Sequence, residues 1–227
     1  MTDYDKLDTW IDAHFDEEVR FLQELIRVPT DTPPGNNAPH AERTAELLKG
    51  FGFEAEQYAV PQADVNAYGL ESITNLIVRR RYGEGRTIAL NAHGDVVPPG
   101  EGWTHDPYGG EIADGRLYGR AAAVSKSDFA TYTYATRAIE SMRDELRGAV
   151  ELHFTYDEEF GGELGPGWLL DNRLTCRPNA GMRRDGGNEV AAFHGVQLRV
   201  GHRCDGRGPR HISDQGDLAE VVARAGG

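Results

Sequence analysis

The chain has 227 residues, a length that allows one large domain or two small ones. Hydrophobic residues make up 39% of it, charged residues make up 27%, and no stretch approaches the roughly 18 consecutive apolar residues of a membrane span. This excludes a membrane-spanning protein, and the net charge of −13 repels a phosphate backbone, so small-molecule chemistry is expected rather than nucleic-acid binding.

Two helices are predicted in the first quarter of the chain. Across residues 4–28 apolar side chains recur at three- and four-residue intervals, which is typical of an amphipathic helix, and Pro29 ends it. A loop rich in proline, glycine and asparagine follows over residues 32–37. Residues 40–49 then predict a second helix that ends at Gly50.

Strands and a further helix follow in alternation. Residues 75–81 and 87–91 predict two short strands, and the turn signal Gly83-Glu84-Gly85 between them suggests a hairpin. Residues 129–146 have the pattern of a helix, and residues 149–156 alternate as a half-buried strand. This alternation favours an α/β layer architecture, in which ligands bind at the carboxyl ends of the strands.

The composition changes near residue 172. Residues 1–172 contain 19 of the 20 aromatic residues and carry a net charge of −16. Residues 173–227 contain one aromatic residue and nine arginines, carry a net charge of +3, and have no helical or strand periodicity. We therefore expect a folded α/β portion over residues 1–172 and a poorly structured, irregular tail with no recognisable domain over residues 173–227.

The compartment is suggested by the start of the chain and by its cysteines. Residues 1–5 are acidic and lead into an amphipathic segment, whereas a secretory signal has a basic start and an apolar run. Cys176 and Cys204 are too few for a disulfide framework and lack the paired spacing of a zinc knuckle, so they are expected to be free thiols. A cytoplasmic location with no membrane partner is expected.

Two polar clusters follow predicted strands. His93 and Asp95 lie two residues apart, so in an extended segment they face the same side, where an imidazole can bind a metal ion and a carboxylate can orient it. Of the adjacent Glu158 and Glu159, one can ligate a metal ion while the other acts as a general base. The plainer alternatives are a surface histidine–aspartate pair and a solvated loop. Metal chemistry is favoured because both clusters directly follow apolar strands.

Other catalytic chemistries have less support in the sequence. The segment Ser125-Lys126-Ser127 sets a serine beside a lysine, but a Gly-x-Ser-x-Gly elbow and an adjacent histidine are missing. The glycine-rich loops that bind the phosphates of nucleotides and dinucleotides are missing as well, which argues against a Rossmann-type cofactor domain.

Four motifs occur in a distinctive order: HGDVVP at 93–98, GWTHDPY at 102–108, DGRLYGR at 114–120 and DEEFGG at 157–162. This set resembles the M20 metallopeptidase family, which includes acetylornithine deacetylase, succinyl-diaminopimelate desuccinylase and the carboxypeptidase G2 type. The resemblance implies that residues 1–172 form a partial zinc-hydrolase domain, the N-terminal part of an α/β/α sandwich with a two-metal site.

The resemblance also implies a role for each site residue. His93 and Glu159 would be metal ligands, Asp95 would orient His93, and Glu158 would be the general base that activates water and then protonates the leaving amine. The implied cofactor is Zn²⁺, as one or two ions, with cobalt or manganese as alternatives. The implied substrate is an N-acyl amino acid or a small peptide whose amide bond lies next to a carboxylate.

The chain departs from the family pattern at the bridging ligand. The family segment Gly-x-x-Asp-Met-Lys-Gly places a metal-bridging aspartate where this chain has Val124, which cannot ligate. Asp128, four residues further on, could replace it as a metal ligand or serve as an acid at a helix N-terminus. The family's dimerisation domain and its later histidine ligand are not recognisable, which suggests a chain truncated or frame-disrupted after about residue 172.

Two functions therefore remain open. The first is a zinc-dependent hydrolase of the M20 type that cleaves the amide bond of N-acyl amino acids or small peptides. The second is a non-catalytic remnant that binds at most one metal ion weakly. The second arises because three plausible ligands, His93, Glu159 and Asp128, remain where the family uses five.

Overall fold

A computed structural model describes residues 2–175 and the backbone of Val221–Val222. The α-helices in this range are α1 (Asp3–Ile26), α2 (Ala38–Gly50), α3 (Gln62–Ala67), α4 (Lys126–Glu140) and α5 (Trp168–Asp171). The strands are β1 (Ala55–Ala59), β2 (Thr74–Arg81), β3 (Thr87–His93), β4 (Glu111–Ala113), β5 (Arg116–Tyr118), β6 (Ala149–Thr155) and β7 (Val221–Val222). Short 3₁₀ turns lie at Arg143–Glu145 and Glu158–Phe160, and a π turn lies at Glu163–Gly167.

A four-stranded sheet in the order β1-β2-β6-β3 organises the fold. β1 and β6 are each antiparallel to β2, whereas β3 is parallel to β6 and is joined to it through α4. A smaller antiparallel sheet has the order β4-β5-β7. The mixture of a parallel pair, a crossover helix and flanking helices confirms the expected α/β class.

One hydrophobic core joins α1, α2 and α4 to the sheet. The chain enters α1 through a capping box in which the Thr2 hydroxyl accepts a hydrogen bond from the Asp5 N–H and the Asp5 carboxylate accepts one from the Thr2 N–H. The far end of this helix buries Leu25 and Ile26 completely. The apolar spacing in the sequence therefore marks the face that the helix turns toward the sheet.

The predicted hairpin of β2 with β3 is wrong. These strands are separated by β6, which pairs with β2 on one side and with β3 on the other. All residues of β6 after Ala149 are buried, so the strand belongs in the interior of the sheet and takes the place between its two earlier neighbours. The glycine turn at residues 83–85 therefore connects two strands that do not pair with each other.

The expectation that residues 149–156 form a half-buried strand is also wrong, because the polar side chains of β6 are buried as well. Glu151 and His153 are buried and bind each other, with 3.0 Å between His153 Nε2 and Glu151 Oε2. Glu151 also accepts a hydrogen bond from Arg79 Nη1 at 2.5 Å. Ionisable side chains can be buried when they are paired with one another. The alternation of apolar and polar residues in the sequence does not show which side chains will be paired.

The helices differ from their predicted bounds mainly around α4. This helix begins at Lys126 rather than residue 129 and ends at Glu140, after which the chain forms a 3₁₀ turn. Nearly all of the expected irregular tail, with Cys176 and Cys204, lies outside the described residues. Among the residues that the structure describes, no helix combines the length and hydrophobicity needed to cross a bilayer.

Candidate metal centre

The parallel pair of β3 and β6 brings the two polar clusters together. His93 is the last residue of β3 and pairs with Thr155, the last residue of β6. Because the carboxyl ends of parallel strands lie at the same edge of a sheet, the glutamates that follow β6 emerge beside His93. The sheet topology therefore turns two separate sequence motifs into one site.

Three side chains of this site bring possible metal-ligand atoms close together. His93, Glu158 and Glu159 each offer a ligand atom, and these atoms all lie within 4.8 Å of one another. His93 Nε2 is 3.7 Å from Glu158 Oε2. This is the only such group of three or more histidine, cysteine, aspartate or glutamate side chains within residues 2–175, and Asp128 is not part of it.

Asp95 is fully buried and contacts two members of this group. Its Oδ2 accepts a hydrogen bond from the Glu159 N–H at 3.0 Å, and its Oδ1 lies 3.4 Å from His93 Nδ1. The His93 Nδ1 also lies 3.0 Å from the Asp95 backbone oxygen. With its proton on Nδ1, His93 donates toward Asp95 and leaves the Nε2 lone pair free for a metal ion.

The electrostatics of the site couple these groups. Burial of His93 disfavours its charged form, but its hydrogen bond to the Asp95 carboxylate and the negative charges of Asp95 and Glu158 outweigh burial and raise the pKa of the imidazole. Burial raises the pKa of the Glu159 carboxyl, the charge of His93 lowers it, and the charges of Glu158 and Asp95 raise it further. A bound cation would relieve the repulsion among the carboxylates.

The segment after β6 is shaped by Asp157. This carboxylate is buried and accepts a hydrogen bond from the Leu164 N–H. Burial raises the pKa of Asp157 to about 6, against the opposing effect of that backbone bond. Gly161 and Gly162 follow with φ of +104° and +77°, in the region that glycine adopts without strain.

Two aromatic rings pack against the backbone at Gly94, between His93 and Asp95. A Cβ atom at Gly94 would lie 2.6 Å from Tyr156 Cε1 and 3.0 Å from Phe129 Cζ, so the backbone between His93 and Asp95 rests directly on these rings. The Tyr156 hydroxyl is 2.9 Å from Nδ1 of the buried His40. Glycine is required here for the close approach of backbone to aromatic side chains.

The segment that would carry a bridging ligand has a different arrangement. Val124 has no donor atom, and 66% of its surface is exposed. Ser125 precedes the first residue of α4 and its hydroxyl donates to Asp128 Oδ2 at 2.8 Å, which matches the helix-terminal role considered for Asp128. Ser125 thus acts at the helix start, with no histidine in hydrogen-bond contact with it among the described residues.

The sequence did not assign a functional role to two cationic residues, Lys126 and Arg120. Lys126 is completely buried and its Nζ donates to the Val28 backbone oxygen at 2.8 Å, and burial lowers the pKa of this ammonium to about 7. Arg120 donates from Nε to the Val97 backbone oxygen at 2.7 Å. Both lie within recognised motifs, but their placement depends on contacts with residues distant in sequence.

The donor set fits one divalent ion. One imidazole nitrogen and carboxylate oxygens are the ligands that zinc takes in catalytic sites, and His93, Glu158 and Glu159 supply these atom types within 4.8 Å of one another. A carboxylate behind the histidine is also typical of such sites, and here Asp95 Oδ1 lies 3.4 Å from His93 Nδ1. Val124, at the position where the resembled family pattern has an aspartate, offers no donor atom for a second ion.

The sequence resembles one protein family over more than half of its length. The model of the peptidase family M20/M25/M40 matches residues 89–210. Succinyl-diaminopimelate desuccinylase from Wolinella succinogenes is 35% identical over 155 residues, which cover 68% of this chain and 37% of that protein. The chain therefore spans less than two fifths of the length of this curated relative.

Solved structures share the fold. Human carnosine dipeptidase 1 superposes with a TM-score of 0.60 at 20% identity, covering 76% of this chain and 38% of that one. A di-peptidase from Saccharomyces cerevisiae superposes with a TM-score of 0.63 at 18% identity, with the same coverage of the two chains. At these identities the similarity concerns the fold, and it matches the expected catalytic-domain architecture.

Proposed function

Because the chain belongs to the peptidase family M20/M25/M40, we propose that it is a metal-dependent hydrolase of amide bonds. The observation that supports this most is the convergence of His93, Glu158 and Glu159 at the ends of two adjacent parallel strands. The proposed substrates are N-acyl amino acids or small peptides, in line with the activities named for the desuccinylase relative and the dipeptidase structures.

In this proposal His93 and Glu159 hold one divalent ion, zinc first and cobalt or manganese as alternatives. When bound, the ion would polarise the amide carbonyl and make a water molecule more acidic. His93 contributes Nε2, since Asp95 fixes the proton on Nδ1. Glu159 is held in place through its own N–H, which donates to Asp95.

Glu158 is the proposed general base. About half of its side-chain surface is exposed, so water has access to its carboxylate, and Oε2 lies 3.7 Å from His93 Nε2. The carboxylate would take a proton from the attacking water and pass it to the leaving amine nitrogen, which completes the cleavage of the C–N bond. A general base in this position typically contributes 10²- to 10⁴-fold to the rate.

A second candidate function is metal binding without catalysis. It is favoured by Val124, which cannot bridge two ions, and by Asp128, whose carboxylate bonds Ser125 instead of joining the ligand group. A single weakly held ion would polarise the carbonyl less well than two. The two candidates share the ligands His93 and Glu159 and differ only in turnover.

Turnover of N-succinyl and N-acetyl amino acids by the zinc-loaded full chain tests the proposal. We expect hydrolysis by the wild type and a loss of at least a hundredfold in Glu158→Gln. Glu163→Gln is the matched control, because this exposed carboxylate accepts a hydrogen bond from the Tyr68 hydroxyl and does not belong to the group of His93, Glu158 and Glu159. Zinc binding without hydrolysis in the wild type would favour the second candidate.

A further inference from the structure

β3 forms an open edge of the four-stranded sheet. It pairs with β6 on one side, and among the residues that the structure describes no strand lies on its other side. The Ala149 N–H donates to the Arg86 oxygen at 3.0 Å, and the Gly94 N–H donates to the Thr155 oxygen at 2.9 Å. Because successive residues of a strand direct their backbone groups to opposite sides, the even-numbered residues of β3 bond β6. The groups that point away from β6 belong to Thr87, Ala89, Asn91 and His93.

Nothing along β3 protects this edge from pairing with another strand. Residues 87–93 include no lysine, arginine, proline or acidic residue, and they pair with β6 without a bulge. Long edges of native sheets are usually protected by such features. Ile88 is 60% exposed, although it lies on the same face of the strand as the buried Ala92. The apolar face of β3 therefore continues to the open edge.

The two ends of the edge carry opposite charge. Arg86 and Arg147 directly precede the paired parts of β3 and β6, and both are exposed. At the other end of the same strands lie the exposed Glu158 and Glu159. A second copy of this chain is the occupant that fits, because antiparallel pairing of β3 with itself brings the arginine end of one copy beside the glutamate end of the other.

We propose that the chain forms a two-fold symmetric dimer in which β3 pairs antiparallel with β3 of a second copy. The four strands of each copy then make one continuous sheet. The register that overlaps all of residues 87–93 sets Leu90 opposite Leu90 of the second copy and Ile88 opposite its Ala92. In this register the outward backbone groups of the two strands bond each other.

The interface lies on the sheet that carries the candidate metal site. It therefore differs from the separate dimerisation domain that the resembled family uses. It also depends on the strand edge and not on a bound ion, so it stands or falls independently of the proposed hydrolysis.

Sedimentation equilibrium of the full chain without added metal tests the proposal. The mass should rise with concentration from 25.0 kDa toward twice that value. Ile88→Lys should raise the dissociation constant of the dimer about tenfold or more, because two charged side chains would enter the paired edge. Ile112→Lys is the matched control, since Ile112 is 50% exposed on β4 in the other sheet, and this variant should dimerise as the wild type does.

The charge arrangement has its own pair of variants. Arg86→Glu should weaken the dimer, because it sets a carboxylate beside Glu158 and Glu159 of the second copy, and added salt should reduce the effect. Arg20→Glu changes the net charge equally at an exposed position of α1, away from the sheet. The dimer of this control should match that of the wild type. Equal dissociation constants for Arg86→Glu and Arg20→Glu would contradict the antiparallel arrangement.

A backbone variant tests the strand pairing itself. Ala89→Pro removes an N–H that points away from β6, so it should keep the sheet of the single chain and abolish the dimer. Circular dichroism checks that this variant and Ile88→Lys remain folded. In the wild type the amides of Ala89 and Asn91 should exchange slowly as a dimer and rapidly after dilution to the monomer.

Three results would overturn the proposal. The first is a wild type that stays monomeric at all concentrations, whether the edge amides exchange freely or are covered by another part of the same chain. The second is a dimer whose dissociation constant is raised by neither Ile88→Lys nor Ala89→Pro, since such a dimer uses another surface. The third is a dimer in which the amides of Ala89 and Asn91 exchange as fast as in the monomer.

Discussion

The buried carboxylate of Asp95 accepts a hydrogen bond from the backbone N–H of Glu159, 64 residues further along the chain, at 3.0 Å. The same carboxylate lies 3.4 Å from His93 Nδ1. Asp95 therefore connects the ends of β3 and β6, and it sets the positions of two proposed ligands together. Damage to Asp95 should affect both metal binding and stability, in proportions that depend on the substitution.

Replacing Asp95 separates these two effects. Asp95→Asn keeps an oxygen for the Glu159 N–H but presents N–H groups toward His93 Nδ1, so zinc affinity should fall about 10- to 100-fold while stability changes little. Asp95→Ala leaves a buried N–H unpaired and should also lower the free energy of unfolding by about 1–3 kcal/mol. Zinc calorimetry and urea unfolding of the metal-free chain measure the two effects. Asp106→Asn, at an exposed carboxylate that accepts from the Tyr108 N–H, should change neither.

Gly94 provides a test of the support beneath the site. Gly94→Ala would push a methyl group against Tyr156 and Phe129, and overpacking of this kind lowers the free energy of unfolding by about 1–3 kcal/mol. Zinc affinity should fall too, since the loop between His93 and Asp95 must shift. Gly50→Ala is the control, because a Cβ there meets no atom within 4 Å. Equal unfolding midpoints for the two variants would show that the rings do not position the loop.

Ala121 has a left-handed backbone with φ of +68° at a position where the resembled family pattern has glycine. The left-handed region costs an alanine about 1–2 kcal/mol relative to its right-handed conformation. Ala121→Gly removes this cost and offsets the loss of a buried methyl group, so stability should stay unchanged or rise slightly. Ala122→Gly, also buried but without a positive φ, should be less stable than Ala121→Gly by about 1–2 kcal/mol. Denaturant unfolding of the two variants gives the difference, and equal losses would contradict it.

Glu18 predicts a pH dependence that is independent of the site. Burial raises the pKa of this carboxyl to about 7 from an ordinary value of 4.5, against the opposing hydrogen bond from Thr131. The folded state thus keeps a proton that the unfolded state has already lost, so its contribution to stability is complete below about pH 4.5 and is lost as the pH rises to 7. The loss amounts to roughly 3 kcal/mol at most.

Glu18→Gln should remove this dependence. The variant should be more stable than the wild type at pH 8, and the difference should shrink toward pH 5, as measured by urea unfolding across the range. Glu54→Gln, at an exposed glutamate, serves as the control and should follow the wild type. A constant difference between Glu18→Gln and the wild type at all pH values would show that Glu18 is ionised in the folded state.

The sequence predicted those parts of the fold that depend on local periodicity. α1 and α2 followed from apolar spacing because a helix is specified by residues three and four apart. The prediction of a hairpin between β2 and β3 was wrong because β6, the strand that separates them, lies more than 50 residues later in the chain. Strand order depends on which strand is buried on both faces, and that is decided by the whole sheet.

The sequence predicted the candidate site only in part. His93 and the two glutamates were identified because they directly follow apolar strands, and parallel pairing then brought them together. The role of Asp128 stayed open because the helix start at Lys126 and the bond from Ser125 depend on local backbone geometry. Arg120 received no role because its position is set by the Val97 carbonyl, 23 residues away.

A calorimetric titration with zinc most directly tests the claim that His93 belongs to a metal site. The wild-type chain should bind one equivalent of zinc, and its affinity should fall as the pH drops through the raised pKa of His93, because a protonated imidazole cannot ligate. His93→Ala should lose this binding, whereas His105→Ala, a histidine paired with Glu111 outside the ligand group, should keep it. Equal zinc binding by His93→Ala and the wild type would contradict the assignment of this site.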